Sequence, residues 1–278
     1  MSKVDLQKLS TIENMALSKT TIAGSVTFIK NEKFIEEALE NPNIIAIITT
    51  PQIEHQFKTS KQYIVTNNPS DLFYKTYLKW CENFLDQENS ISAKASIHPT
   101  AVYADKNVVI EDDVIIEANI VINEKVRIAK GSIIKSNCTI GKHGFEVKNI
   151  ENKVKMIPHN GWVKIGRKVV IQDNSCIDNG IYGEDTIIMD ETVIGAMCLV
   201  SHNNVIGKKC LIAPGCVISG NVVIGDKVWM GLGAKILNRI RIGDNAHVGI
   251  GSLVTRNIEN DEKVMCHTKL IKIPSFGS

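Results

Sequence analysis

The residues of this chain best suited to chemistry are an imidazole and a glycine, eighteen positions apart. His202 sits in Ser201-His202-Asn203, and Gly220 follows one eighteen-residue interval later. A histidine titrates near neutrality and can take a proton from an attacking group at ordinary pH. Read alone, His202 is equally an exposed or interface histidine, and Gly220 a corner that tolerates no side chain. Four further side chains, Phe145, His159, Asp178 and Tyr182, lie where the sequence pattern is interrupted. Asp178 could accept a hydrogen bond from a ligand hydroxyl, orient His202, or cap its own turn. His159 could meet a phosphate or a hydroxyl, or stand as a plain loop histidine.

The element that must position these residues is set by a six-residue period. Isoleucine or a close substitute recurs at 110, 116, 122, 128, 134 and 140, then at 165, 171 and 177. It recurs again without a miss from Ile188 through Val200, Ile206, Ile218 and Met230 to Val254. Such a period marks a parallel β-helix, whose short strands wind into stacked coils with apolar residues inward. Three hexads make a coil, so the count predicts about seven coils. One coil is eighteen residues, which places Gly220 about 4.8 Å, one rung, from the level of His202. The period slips between Ile140 and Ile165, an interval of 25, and again between Ile177 and Ile188. Loops leave a rigid scaffold at such slips and commonly carry function.

Residues 1–92 lack the period and read as a small α/β domain. Strands are predicted at Val26 to Ile29, Ile44 to Ile48 and Gln62 to Val65, with helices over Glu32 to Leu39 and Asp71 to Leu85. The β-helix occupies 93–256, and 257–278 is a short tail. The fold class is therefore mainly β, a β-helix behind a small α/β domain.

Composition excludes several functions. A formal charge of +2 without a basic run argues against nucleic acid. No apolar stretch approaches the roughly 18 residues that span a bilayer, and the polar start lacks a signal-peptide core, so a cytoplasmic protein is expected. Among the seven cysteines there is no C-x-x-C pair. Cys138, Cys198, Cys210 and Cys216 fall two residues before a period position, in a slot elsewhere held by Val, Thr, Ala or Ser, and read as small buried free thiols. A zinc centre needs three converging histidines. The regular coils offer His98, His202 and His247, which share no register, so no metal is expected.

Gly144-Phe145, Ile177-Asp178-Asn179-Gly180, Asp185-Thr186-Ile187-Ile188 and Val200-Ser201-His202-Asn203 together resemble UDP-3-O-acylglucosamine N-acyltransferase of lipid A synthesis. Val26-Thr27-Phe28 and Asn67-Asn68-Pro69 are similar to that family's nucleotide-binding domain. The resemblance spans about residues 20–255 and implies a left-handed β-helix, assembled as a homotrimer with sites between subunits. It implies His202 as general base and the N–H of Gly220 as oxyanion donor for N-acylation. In the α/β domain Asn68 could read the pyrimidine edge of a nucleotide with Phe73 or Tyr74 stacked on it, although such aromatics are more often core, and Phe145, His159, Asp178 and Tyr182 are candidate acceptor contacts.

The stretch Lys227-Val228-Trp229-Met230-Gly231-Leu232-Gly233-Ala234 resembles the coenzyme A-binding coils of small hexapeptide acetyltransferases. That match implies a pantetheine slot lined by Trp229, Gly231, Gly233 and Ala234. The alternative for each glycine is relief of crowding at a corner.

The departures matter too. The lipid A enzyme continues into a helical segment associated with acyl carrier protein, while this chain stops soon after its last coil. Ser70 stands where that family has an aromatic, and Ala196 where Asn is common. The expected function is N-acyl transfer from acyl-CoA, as co-substrate rather than bound cofactor, to a UDP- or dTDP-linked amino sugar. The lipid A enzyme using carrier protein, and a non-catalytic assembly subunit, are the alternatives.

Overall fold

The computed structural model describes residues 14–57, 61–82 and 86–266. The period is realised as three parallel sheets of eight, eight and nine strands, which wind as a left-handed parallel β-helix. Most strands are two residues long, such as Leu199–Val200 and Val205–Ile206. From Ile110 to Val254 the second side chain of each pair points into the prism and is buried, which is why the period selects Ile and Val. The turns that join them carry residues in the left-handed region, Asn203 (φ 57°), Asn221 (φ 61°) and Arg239 (φ 64°) along one edge. Asparagine enters that region readily.

The coils begin at Ser90–Ile91, within the range read as the α/β domain, and continue to Lys263–Val264, within the range read as the tail. The prism thus has about eight coils rather than about seven. The early coil escapes an isoleucine count because Tyr103, paired with Ile122, is exposed and stands seven residues before Ile110 rather than six.

The slot two residues before the period has a polar duty. Ser132, Ser175 and Thr192 donate hydroxyl hydrogen bonds to the carbonyls of Gly166 (2.7 Å), Gly195 (2.9 Å) and Gly207 (2.7 Å). Cys210 and Cys216 do the same from sulfur, to Gly225 O (3.0 Å) and Gly231 O (3.2 Å). The buried thiols thereby donate to corner carbonyls, as the hydroxyls do in the same slot. The seven cysteines are free, and Cys266 is exposed.

Residues 14–82 form a four-stranded parallel sheet of Asn14–Met15, Ser25–Ile29, Ile44–Thr49 and Gln62–Val65. The helix Ile35–Glu40 follows a 3₁₀ turn at Glu32–Phe34. A longer helix, Pro69–Cys81, starts with proline in its first turn. The end predicted for that helix, at Phe84 and Leu85, lies outside the described residues. One face of the sheet closes over Ile29, Ile47, Ala38 and Phe57. The other packs Val26, Ile48, Phe73 and Tyr77 against Ile150, Ile157, Ile181 and Tyr182 of the β-helix interruptions. One hydrophobic core therefore joins the two parts.

Register locates those interruptions. Ile128 pairs with Ile165, 37 residues on rather than 18, so nineteen residues leave the prism. Ile177 pairs with Val200, 23 on, so five more leave in the next coil. The longer insertion folds an antiparallel hairpin, Val147–Ile150 with Lys153–Met156. Both departures lie between the same two sheets, at the edge that carries His202 one coil later and Gly220 one coil after that. No helix among the described residues is long and apolar enough to cross a membrane.

Candidate functional site

The imidazole of His202 lies against the bare α-carbon of Gly220. A β-carbon there would stand 2.5 Å from Cε1 and 2.6 Å from Nε2 of the ring. Gly220 is thus required for the seat of His202, a role that neither an oxyanion donor nor a corner glycine anticipates. Among the described residues its N–H makes no hydrogen bond. Asn203 and Asn204 hold the turn: Asn203 Oδ1 accepts from Ile181 N–H (2.6 Å), and Asn204 Oδ1 accepts from Val222 N–H (2.7 Å). Burial pulls the His202 imidazole below its ordinary range, and its Nδ1 is buried without a partner.

Two more histidines arrive on the long insertion. The ring of His159 stands 5.4 Å from that of His202 at 74°, and His143 lies 5.7 Å beyond it. The regular coils offered no such cluster, because only folding back of the insertion brings these rings to the edge. No group of three His, Cys, Asp or Glu among the described residues has metal-holding geometry. His159 is 4% exposed. Its Nε2 accepts from Gly144 N–H and its Nδ1–H donates to Ile157 O, both at 3.2 Å. One nitrogen accepts and the other donates, so the ring is neutral. Burial, with His202 and His143 nearby, pushes it down to about 4.

That depression has a consequence for stability. As pH falls from the ordinary 6.5, the unfolded chain takes up the proton before the folded one does. Stability contributed above pH 6.5 is lost progressively towards about pH 4, on the order of 3 kcal/mol. Denaturant titrations across this window are expected to show the loss in the native protein and a shallower loss in His159→Gln. Equal slopes for the two proteins would refute it.

Asp178 is 2% exposed, and burial raises its carboxyl pKa against the opposing influence of Lys142 and Ser201. Lys142 Nζ lies 3.2 Å from Oδ1, at ion-pair distance without hydrogen-bond geometry. Oδ2 crowds Gly144, where a β-carbon would come within 2.5 Å of it and 3.0 Å of His159 Nε2. The partners of Asp178 are therefore Lys142 and Ser201 rather than His202, which corrects its reading as an orienting carboxylate.

Tyr182 is buried, φ 59°, with its hydroxyl donating to Glu146 Oε1 (2.9 Å) and its N–H donating to Tyr77 Oη (3.1 Å). It serves as an internal strut, not an open acceptor contact. Glu146, which pattern reading passed over, also has Lys148 Nζ at 2.7 Å. Phe145 alone of this group is open to solvent, 86% exposed.

The sequence-predicted residues do not all converge. Asn68 is exposed at the start of helix Pro69–Cys81, with no side-chain cap bond. Tyr74 is buried, its ring edge-on to Phe28 (5.6 Å) and Phe73 (5.3 Å), so it belongs to the core and offers no free platform for a base. Trp229 stacks on His247, ring centroids 4.1 Å apart. Gly231 relieves crowding between coils, since a β-carbon would lie 2.7 Å from Ile250 N. Gly233, φ +67°, faces open space. Ala234 is wholly buried, its N–H donated to Gly231 O (3.2 Å). This corner joins the nine-stranded sheet to the sheet of Lys235–Ile236, a different edge from that of His202.

Residues 107–142 match the family described as bacterial transferase hexapeptide (six repeats). The strands within that segment, Val108–Ile110 to Thr139–Lys142, are those that the hexapeptide match covers. Beyond that segment, this chain is similar to UDP-3-O-acylglucosamine N-acyltransferase 1 of Francisella tularensis subsp. holarctica (strain OSU18). The two are 34% identical over 215 residues, 65% of this chain and 60% of the relative. The protein of the same name from F. tularensis subsp. tularensis SCHU S4 is 32% identical over 227 residues, 69% of this chain and 64% of that one. This chain thus spans less than two thirds of the length of these curated relatives. Among solved structures, Francisella novicida UDP-N-acetylglucosamine acyltransferase aligns at 21% identity and TM-score 0.46, covering 64% of each chain. PerB from Caulobacter crescentus, solved with CoA and GDP-perosamine, aligns at 14% and 0.22, over 87% of this chain and 93% of that.

Proposed function

We propose that this protein is an N-acyltransferase that moves an acyl group from acyl-CoA to the amine of a UDP- or dTDP-linked amino sugar. The observation that carries the reading is the seat of His202 on Gly220, an imidazole one rung from an N–H without a partner, under two loops that converge on the same edge. The neutral amine attacks the thioester carbonyl as His202 takes its proton. The oxyanion accepts from the Gly220 N–H. Collapse expels the thiolate, which recovers the proton from His202. The α/β domain, with Asn68 exposed, holds the nucleotide.

The chain acts as a homotrimer on this reading. Two faces of the prism carry exposed apolar residues, Ile115, Leu211 and Trp229 on one, Val102, Val121 and Leu253 on the other, available for packing between copies. Assembly would also let the corner at Gly231 and Gly233, remote from His202 in its own chain, serve the base of a neighbour.

A second reading, the lipid A enzyme with a carrier-protein donor, is favoured by the names of the relatives. The test supplies the purified protein with UDP- and dTDP-amino sugars and either acyl-CoA or acyl carrier protein thioester, and follows amide product by mass. Amide formed from acyl-CoA is expected. Turnover restricted to carrier thioester and UDP-3-O-acylglucosamine would replace this reading with the second, and no turnover at all would leave an assembly subunit.

A further inference from the structure

We propose that Glu146 is the counter-charge of the site: its carboxylate, held by the Tyr182 hydroxyl, stabilises the imidazolium that His202 becomes on taking a proton. The inference rests on His202 being the base. It makes Glu146 a positioning residue, not one that touches the reacting atoms.

Two structural ties fix Glu146 in the frame of His202. The first runs through the shorter loop. Tyr182 donates its hydroxyl to Glu146 Oε1 (2.9 Å), and the preceding Ile181 is clasped by Asn203, the neighbour of His202. That clasp is double, Ile181 N–H to Asn203 Oδ1 (2.6 Å) and Asn203 Nδ2–H to Ile181 O (3.2 Å). The second runs through the long insertion. Ile157 N–H donates to Glu146 O (2.8 Å), and Ile157 O in turn holds His159, whose ring abuts His202.

The site needs such a charge. A half-buried imidazole gains a proton at a cost unless a negative group stands near. The Nδ1 of His202 has no partner. Asp178 is paired with Lys142 and Ser201, and Glu146 is paired with Lys148, but only Glu146 is tied through both loops to the turn and rings around His202. His159 is neutral, Tyr182 is a buried phenol, and Gly220 brings no charge. Of the charges that act on His202, Glu146 favours its protonation and Lys148 opposes it.

The test follows the ring protons of His202 by NMR through a pH titration of the full chain, in the native protein and in Glu146→Gln and Lys148→Met. The midpoint is expected to move to lower pH in Glu146→Gln and to higher pH in Lys148→Met, opposite shifts that a purely structural role would not produce. Tyr182→Phe loosens the carboxylate without removing it and should move the midpoint in the direction of Glu146→Gln. It carries the test if that variant does not fold. With a turned-over substrate, the acid limb of kcat/KM should move in the same directions, with kcat down about tenfold in Glu146→Gln. An unmoved His202 titration in these variants overturns the proposal, whatever happens to the rate. A moved titration with an unmoved rate profile overturns His202 as the base instead.

Discussion

Replacing His202 by glutamine is expected to lower kcat for amide formation by roughly 10²- to 10⁴-fold, the usual worth of a positioned general base. Glutamine keeps a polar side chain of similar reach in a half-buried slot and is not expected to unfold the prism. The ring packs on a glycine and makes no hydrogen bond through Nδ1, so little holding energy is lost. The effect should therefore appear in kcat with the thermal midpoint nearly unchanged. Gly220→Ala is the companion variant. It keeps the imidazole but places a methyl 2.5 Å from Cε1, so the ring must swing off its seat. A comparable loss of rate is expected from geometry alone. Single-turnover assays with thermal melts of both variants decide the matter, and a glutamine variant that turns over at the native rate removes His202 from the mechanism.

Gly180→Ala should be the most destabilising single methyl in the loop that covers the site. A β-carbon at Gly180 would stand 1.8 Å from Glu184 O and 2.7 Å from Asp185 Cα, both backbone atoms that no rotamer change can move. Gly161 meets the same carbonyl at 1.8 Å from the other side, so the long insertion and the short loop are pinched together there. The loop cannot give way cheaply either. Glu184 Oε1 accepts from Thr20 Oγ1 (2.8 Å) and from Thr21 N–H (3.0 Å), which ties this crossing to the α/β domain. Overpacking of this severity costs about 3 kcal/mol or more. Differential scanning calorimetry should show the transition lowered by roughly 10 °C, at 2–4 °C per kcal/mol for a domain of this size. A melting temperature equal to that of the native protein would mean that the loop accommodates the methyl, and that the crossing is looser than its distances imply.

Much of the scaffold was legible in the order of residues. Ile110 to Val254 could be read because each hexad solves the same local problem, a two-residue strand and a turn. The strand Gln62–Val65 matched its apolar run for the same reason. The coil at Tyr103 fell outside the count because an exposed aromatic stands there and the step to Ile110 is seven residues. At the site, the eighteen-residue interval correctly set Gly220 beside His202, but it spoke only of level along the axis. That the ring lies on the α-carbon itself required side-chain geometry. Tyr74 and Tyr182 were misjudged because aromatics at a domain junction and aromatics at a ligand site look alike in sequence. Glu146 stayed invisible, since a glutamate beside an exposed phenylalanine carries no pattern.

The sequence by itself determined the prism, its coil length and the rung relation of His202 to Gly220, because these follow from short-range repetition. Only the tertiary structure decided what surrounds the imidazole. His143, Glu146 and His159 come from nineteen residues that obey no period, and Tyr182 from five more. Their meeting point is set by register between distant strands and by the core shared with the α/β domain, which no local rule of spacing encodes.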